Sequence, residues 1–201
     1  MTATERNRPD VVAARAAFHE AQPALDAGSL VFVDEAGVNV KLSRCYGRAL
    51  RSQRAAGHAP AAWGRNTTLL GAMTAQGLVA LGRRVGGGTT KASFTAFVRD
   101  TLCPVLRAGQ TVVLDNLSAH HAAEVRALIE GQGCRLLHVP PYSPDLNPIE
   151  AAWSKLKAVL RRLGARTQAA LEAAITVAAT AITADDAANW IRGAGYQLPI
   201  C

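Results

Sequence analysis

Two short runs decide the fold: Leu30-Val31-Phe32-Val33-Asp34-Glu35 and Thr111-Val112-Val113-Leu114-Asp115. Each is four apolar or β-branched residues followed by an acid. Runs of this length and composition read as buried strands, and each delivers a carboxylate to its C-terminal edge. Arg135-Leu136-Leu137-His138-Val139 is a third run of the same kind. Between them, residues 67–73 and 78–83 flank Thr74-Ala75-Gln76-Gly77, the pattern of a hairpin. Val38, Val40 and Leu42 alternate, which suggests a short extra strand after Asp34. Helical spacing covers residues 9–22, with Val11, Val12, Ala14, Ala17 and Phe18 on one side. It returns at 94–106, closed by Gly109, and at about 121–130, closed by Gly131. A helix over 148–163 and two Ala-rich helices finish the chain. This order predicts an α/β domain, a mixed sheet flanked by helices. In open α/β sheets ligands sit beyond the carboxyl ends of strands, so Asp34 and Asp115 are the first candidates for chemistry.

Glu150 is the third. On a wheel of about 100° per residue, Ile149, Ala152, Trp153, Leu156, Leu160 and Leu163 form the arc that packs on the sheet. Glu150, Ser154, Lys157 and Arg161 form the neighbouring arc, an acid with two cations in line behind it. Other readings stand beside this one. Asn147, Pro148 and Glu150 suit the N-cap, N1 and N3 positions of a capping box. Asp34 suits a turn before Gly37, and Asp115 an Asx turn with Asn116. Taken together, three carboxylates at strand ends and a helix start point to a metal site. Mg²⁺ prefers hard oxygen ligands and keeps several waters, so a few carboxylates suffice. Two such ions can activate the attacking oxygen of a phosphodiester cleavage and stabilise the leaving one. Without a cation the carboxylates would repel one another.

Charge placement points the same way. The net charge is +7, from 22 Lys+Arg against 15 Asp+Glu, and 18 of the cations are arginines. From Ala36 to Arg99 there is no Asp or Glu, but ten basic residues, Arg44, Arg48 and Arg51 among them. A second acid-free zone between Glu150 and Glu172 holds Lys155, Lys157, Arg161, Arg162 and Arg166. Two such zones in one small chain favour a polyanion partner, and arginine forks onto phosphate oxygens. Trp63 could stack on a base or anchor its loop; Tyr142 could contact DNA or fill its turn. Trp153 and Trp190 read as core.

Several classes are excluded. No apolar run reaches the roughly 18 residues of a membrane span, and residues 1–10 lack the apolar segment of a secretory signal. The four cysteines, 45, 103, 134 and 201, form no CxxC pair, which speaks against a zinc ribbon or a disulfide framework and for a reducing cytoplasm. Gly86-Gly87-Gly88 lacks the Lys-Ser/Thr ending of a P-loop. No DxD strand-end motif suggests a phosphatase with a covalent aspartate.

The string Val112-Val113-Leu114-Asp115-Asn116-Leu117-Ser118-Ala119-His120, with Pro140-Pro141-Tyr142-Ser143-Pro144-Asp145-Leu146-Asn147-Pro148-Ile149-Glu150, resembles bacterial insertion-sequence transposases of the mariner superfamily. Val33-Asp34-Glu35, Tyr46-Gly47-Arg48-Ala49 and Asn66-Thr67-Thr68-Leu69-Leu70-Gly71 match the same pattern, and 34 residues separate Asp115 from Glu150, as is typical of that group. The resemblance implies a ribonuclease-H-like fold with a metal triad of Asp34, Asp115 and Glu150 holding two Mg²⁺ (or Mn²⁺) ions. It implies cleavage at the ends of a DNA element and strand transfer into target DNA, with water or a DNA 3′-hydroxyl as nucleophile. It implies double-stranded DNA as partner, a homodimer, and a bacterial cytoplasm with nucleoid association. Arg44, Arg48, Arg51, His120, Lys157 and Arg161 are candidate DNA contacts; His120 equally suits a helix N-terminus. The expected organisation is a helical linker over 1–28, the catalytic domain over 29–165, and C-terminal helices over 166–201 packed on the same domain. Family members also carry N-terminal helix-turn-helix modules. Thirty-three residues precede Asp34 here, so the chain reads as the catalytic half, with the DNA reader supplied by a fusion or a partner. The alternative is a catalytically inactive DNA-binding remnant of a truncated or frameshifted transposase.

Overall fold

The computed structural model describes residues 4–44, 46–58, 60–61, 64–116 and 123–198. Among these, five strands form one sheet: β1 (Leu30–Val38), β2 (Thr67–Thr74), β3 (Gly77–Val85), β4 (Thr111–Leu114) and β5 (Arg135–His138). The order is β3-β2-β1-β4-β5. β1, β2 and β3 run antiparallel to one another in turn, while β4 and β5 are parallel to β1 and to each other. The helices are α1 (Pro9–Ala21), α2 (Lys91–Phe97), α3 (Ala123–Gly131), α4 (Ile149–Leu163), α5 (Gln168–Thr180) and α6 (Ala184–Gly193).

Strand alternation divides the apolar residues between two cores. Leu30, Phe32, Ala36 and Val38 of β1 join Leu69 and Met73 of β2 under α4, α5 and α6. Val31 and Val33 join Leu70 and Ala72 under Phe94, Phe97, Val125 and Ile129 of α2 and α3. Every residue of β2 is buried, as expected of an inner strand covered on both faces. Each fully buried Leu or Phe contributes roughly 1.5–3 kcal/mol, so the sheet is a firm platform for whatever its edges carry.

Several details depart from the sequence reading. Val38, Val40 and Leu42 make no second strand: β1 runs unbroken from Leu30 to Val38. Asp34 therefore lies inside β1 rather than at its end, because β2 pairs with the strand well past the acid. The helix read over 94–106 stops at Phe97 and continues through a widened turn and a short 3₁₀ turn. Pro104 lies in that 3₁₀ turn, where its ring and missing N–H do not permit a regular helix. In α1 only Val11 is buried and Val12 is 52% exposed, so this helix touches the core along a narrow strip. Leu163 is 47% exposed at the end of α4, and Val159 takes its place in the core.

One contact in this framework anticipates the site. Gly71 is the cross-strand partner of Asp34, and the Trp153 indole lies over it: a Cβ at Gly71 would stand 2.4 Å from Trp153 Cη2. Gly71→Ala is expected to destabilise the fold by about 1–3 kcal/mol through overpacking, lowering Tm by roughly 3–10 °C. Gly88→Ala, where an added methyl meets nothing within 4 Å, should shift Tm by less than about 2 °C. Thermal denaturation of both variants checks the difference.

Candidate active site

β1 and β4 are parallel, with Leu30 paired to Thr111 and Phe32 to Val113. Continuing that register by two residues sets Asp34 level with Asp115, on strands about 4.8 Å apart. Both lie two residues beyond side chains of the α4-side core, Phe32 and Val113, so both carboxylates face α4. Asp115 follows directly on the end of β4 at Leu114, whereas Asp34 lies within β1 and not at its end.

Glu150 arrives from the other side, in the first turn of α4. The capping box offered by the sequence does not form. Pro148 occupies the N-cap, with no side-chain cap bond. Asn147 is buried and donates through Nδ2 to the Val33 carbonyl at 3.4 Å. Two further tethers hold the same turn. The Tyr196 hydroxyl donates to the Leu146 carbonyl at 2.8 Å. Arg15 grips Asp145 in a bidentate pair at 3.0 and 2.8 Å, joined by Arg6 at 3.0 Å. The turn is bound to β1, to the C-terminal segment and to α1, so the position of Glu150 is fixed by the tertiary structure.

Asp34, Asp115 and Glu150 line one cavity of about 500 Å³, together with Arg8, Tyr142 and Asn147. Asp34 is the deepest, 7% exposed. Burial, then the charges of Glu150 and Asp115, push its carboxyl up to about 7, against the opposing pull of the Glu35 N–H and the Trp153 indole. The indole N–H donates to Asp34 Oδ2 at 3.1 Å. Glu150 is solvent-exposed, yet partial burial and Asp115 raise its carboxyl, while Lys157 opposes them. No three His, Cys, Asp or Glu side chains among the described residues are arranged to hold an ion by themselves. The three acids share one cavity, where like charges raise the cost of ionising all of them at once.

The candidate DNA contacts separate. Lys157 lies close enough to act on Glu150. Arg44 and Arg161 meet in a second cavity. Arg48 and Arg51 are exposed on the long connection between β1 and β2 and line neither cavity. His120 and Trp63 lie outside the described residues. Tyr142, with φ of 55°, lines the carboxylate cavity. Trp153, read from sequence as core alone, is both core and a hydrogen-bond donor to Asp34. The available signal was its place three residues after Glu150, since a buried indole N–H requires an acceptor. The contribution of Arg8, at the N-cap of α1, and of Asp10 in its first turn had no signal in the sequence. Cys103 and Cys134 are buried free thiols. No helix among the described residues is long and apolar enough to cross a membrane.

Comparison with solved structures places the fold. A pre-cleavage Mos1 transpososome matches with a TM-score of 0.72 at 17% identity, covering 97% of this chain and 60% of that one. The Mos1 strand transfer complex matches with 0.70 at 19%, covering 97% and 59%. The isolated catalytic domain of Mos1 mariner transposase matches with 0.63 at 16%, covering 97% and 90%. The chain thus spans about three-fifths of the Mos1 chains in those assemblies, and its five-stranded mixed sheet is the ribonuclease-H-like fold of the Mos1 catalytic domain. Among curated protein sequences none matches significantly. The family model described as DDE superfamily endonuclease matches residues 29–191. That span contains all three cavity carboxylates, and the chain belongs to the DDE superfamily of endonucleases.

Proposed function

We propose that this chain is the catalytic part of a mariner-type DNA transposase, cutting phosphodiester bonds at element ends and joining them to target DNA. The observation that carries the reading is the meeting of Asp34, Asp115 and Glu150, 116 residues apart at the extremes, in a single cavity. The solved assemblies of Mos1, a paired end complex and a strand transfer complex, support double-stranded DNA as the partner and a homodimer as the working unit. A DNA substrate suits the cytoplasmic, nucleoid-associated setting that belongs to this reading. A DNA-reading module joined to or partnering this chain would complete end recognition.

The donor set suits Mg²⁺ or Mn²⁺. All three side chains offer hard oxygens, and Mg²⁺ needs only one or two carboxylates beside its waters and substrate phosphate. Asn147 Oδ1, buried and without a hydrogen-bond partner, lines the same cavity and could accept from an ordered water there. Asp34, Asp115 and Glu150 would together hold a pair of ions. When bound, these would favour ionisation of the attacking water or 3′-hydroxyl and stabilise the leaving oxygen. The chain's own contributions are positional. Trp153 fixes the orientation of the Asp34 carboxylate, the tethered turn fixes Glu150, and Lys157 offers a cation to the phosphate beside it. A divalent ion would also relieve the like-charge strain of the carboxylates.

Wild type should nick duplex DNA carrying element ends when Mg²⁺ or Mn²⁺ is present, and Glu150→Gln should lose at least about 100-fold. Equal cleavage by the two proteins removes Glu150 from the mechanism; no metal-dependent cleavage by wild type leaves the inactive remnant. A second prediction uses stability. The Asp34 carboxyl titrates at about 7 when folded and near 4 when unfolded. The unfolded chain therefore ionises first, and metal-free wild type loses stability as pH rises from about 4 to about 7. Asp34→Asn should remove the Asp34 share of that loss, leaving only the share of Glu150, whose carboxyl is also raised, and melt higher than wild type at pH 8 without metal. Mg²⁺ should raise the wild-type Tm more at pH 8 than at pH 5 and leave Asp34→Asn unmoved. Calorimetry across pH, with and without Mg²⁺, reads both effects.

A further inference from the structure

The two acid-free segments meet in space at the far end of α4. Arg44 and His58 come from the connection between β1 and β2; Arg161, Arg162 and Arg166 come from the end of α4 and just beyond. Together they line a cavity of about 470 Å³, and no acidic residue among the described residues lines it. The C-terminal pole of α4 favours Arg161 and Arg162 in its last turn, while cations gathered in one cavity repel one another. Several guanidinium groups there outweigh the weak aversion of the helix pole to an anion. Three other cations of the same segments have carboxylate partners: Arg83 with Glu172, Lys155 with Asp186 and Arg99 with Glu124. Arg44, Arg161 and Arg162 pair with no carboxylate among the described residues. Arg166 builds the wall. Its Nη1 donates to the Val40 and Leu42 carbonyls at 3.1 Å each, tying the start of the connection to the end of α4.

We propose that this cavity is a second phosphate clamp, gripping the backbone of the same duplex that is cut at the carboxylate cavity. It rests on the reading of the chain as a DNA-cutting enzyme and adds where that DNA must run. Glu150 and Arg161 lie eleven residues apart on one helix, about 17 Å at 1.5 Å per residue. That span is about five nucleotide steps of 3.4 Å along one strand. Lys157 lies between them on the same arc of α4, so a backbone leaving the cutting cavity meets a cation before it reaches the clamp. A lone phosphate would gain nothing from this spacing; a polyphosphate backbone would.

The test is binding of a labelled duplex against salt, read by fluorescence anisotropy. Each lost phosphate contact should flatten the dependence of log K on log salt by about 0.9. Arg161→Ala with Arg162→Ala should flatten it by about two such steps and weaken binding at least tenfold. Arg44→Ala with His58→Ala, on the exposed connection, should flatten it by about one or more. A neutral methylphosphonate about five nucleotides from the cut should weaken wild type but add no loss to the Arg161/Arg162 double variant. Thermal melting confirms that each variant is folded; if the α4 pair unfolds, the pair on the connection decides. Wild-type slopes and affinities in the folded variants, with wild type cleaving normally, overturn the clamp alone. A wild type that binds with the expected slopes yet cleaves no better than Glu150→Gln supports the clamp and overturns the enzymatic reading beneath it.

Discussion

A single carboxylate, Asp34, is held in the interior of a sheet, and the rest of the structure accommodates it. A charge at 7% exposure is costly unless something holds it. Here the hold is local and directional. The Trp153 indole reaches over the bare backbone of Gly71 and donates to Asp34 Oδ2, with the Glu35 N–H assisting. Because Gly71 is the cross-strand partner of Asp34, the absent side chain in β2 is what admits the indole. These contacts do not fully neutralise the cost, since Asp34 remains far above the ordinary carboxylate range. The residual strain is concentrated at the point where two further acids converge.

The framework around that point is built for fixed geometry. Strand register sets Asp34 beside Asp115, and no loop needs to close for that pair to form. Glu150 depends on a turn that would otherwise be free, and that turn is tied from three directions by Val33, Tyr196 and the Arg6–Arg15–Asp145 cluster. Tyr196 also packs edge-on against Phe32 at 5.0 Å, so the C-terminal segment braces both the sheet and the turn. Asp145 and Arg6 of this cluster are partly exposed, where ion pairs add little stability. Their value here lies in orientation.

Much of this was legible in the sequence, for identifiable reasons. The strands β4 and β5 and the β2–β3 hairpin follow from apolar runs bounded by turn-formers, and α4 follows from its clean apolar arc. The three acids stood out because each falls at the boundary of an apolar element. What remained hidden was tertiary. The length of β1 depends on β2 pairing beyond Asp34, which no local pattern encodes. Asn147 looked like a helix cap, but its amide is drawn to the Val33 carbonyl, 114 residues away. Trp153 read as core because its apolar area dominates its signal, whereas its N–H acts on an aspartate from a different element. The acid-free zones were visible as composition; that Arg83, Lys155 and Arg99 are committed to carboxylate partners while Arg44 and Arg161 share a cavity could be settled only in three dimensions.

On the proposed reading Asp34, Asp115 and Glu150 form one divalent-ion site. The most direct measurement is anomalous X-ray scattering from a crystal of the protein with duplex DNA and Mn²⁺. Mn²⁺ density is expected between Asp34 and Asp115, with Glu150 turned into the same cavity. Mn²⁺ bound elsewhere with no density in this cavity, at an ion concentration that supports cleavage, would contradict it.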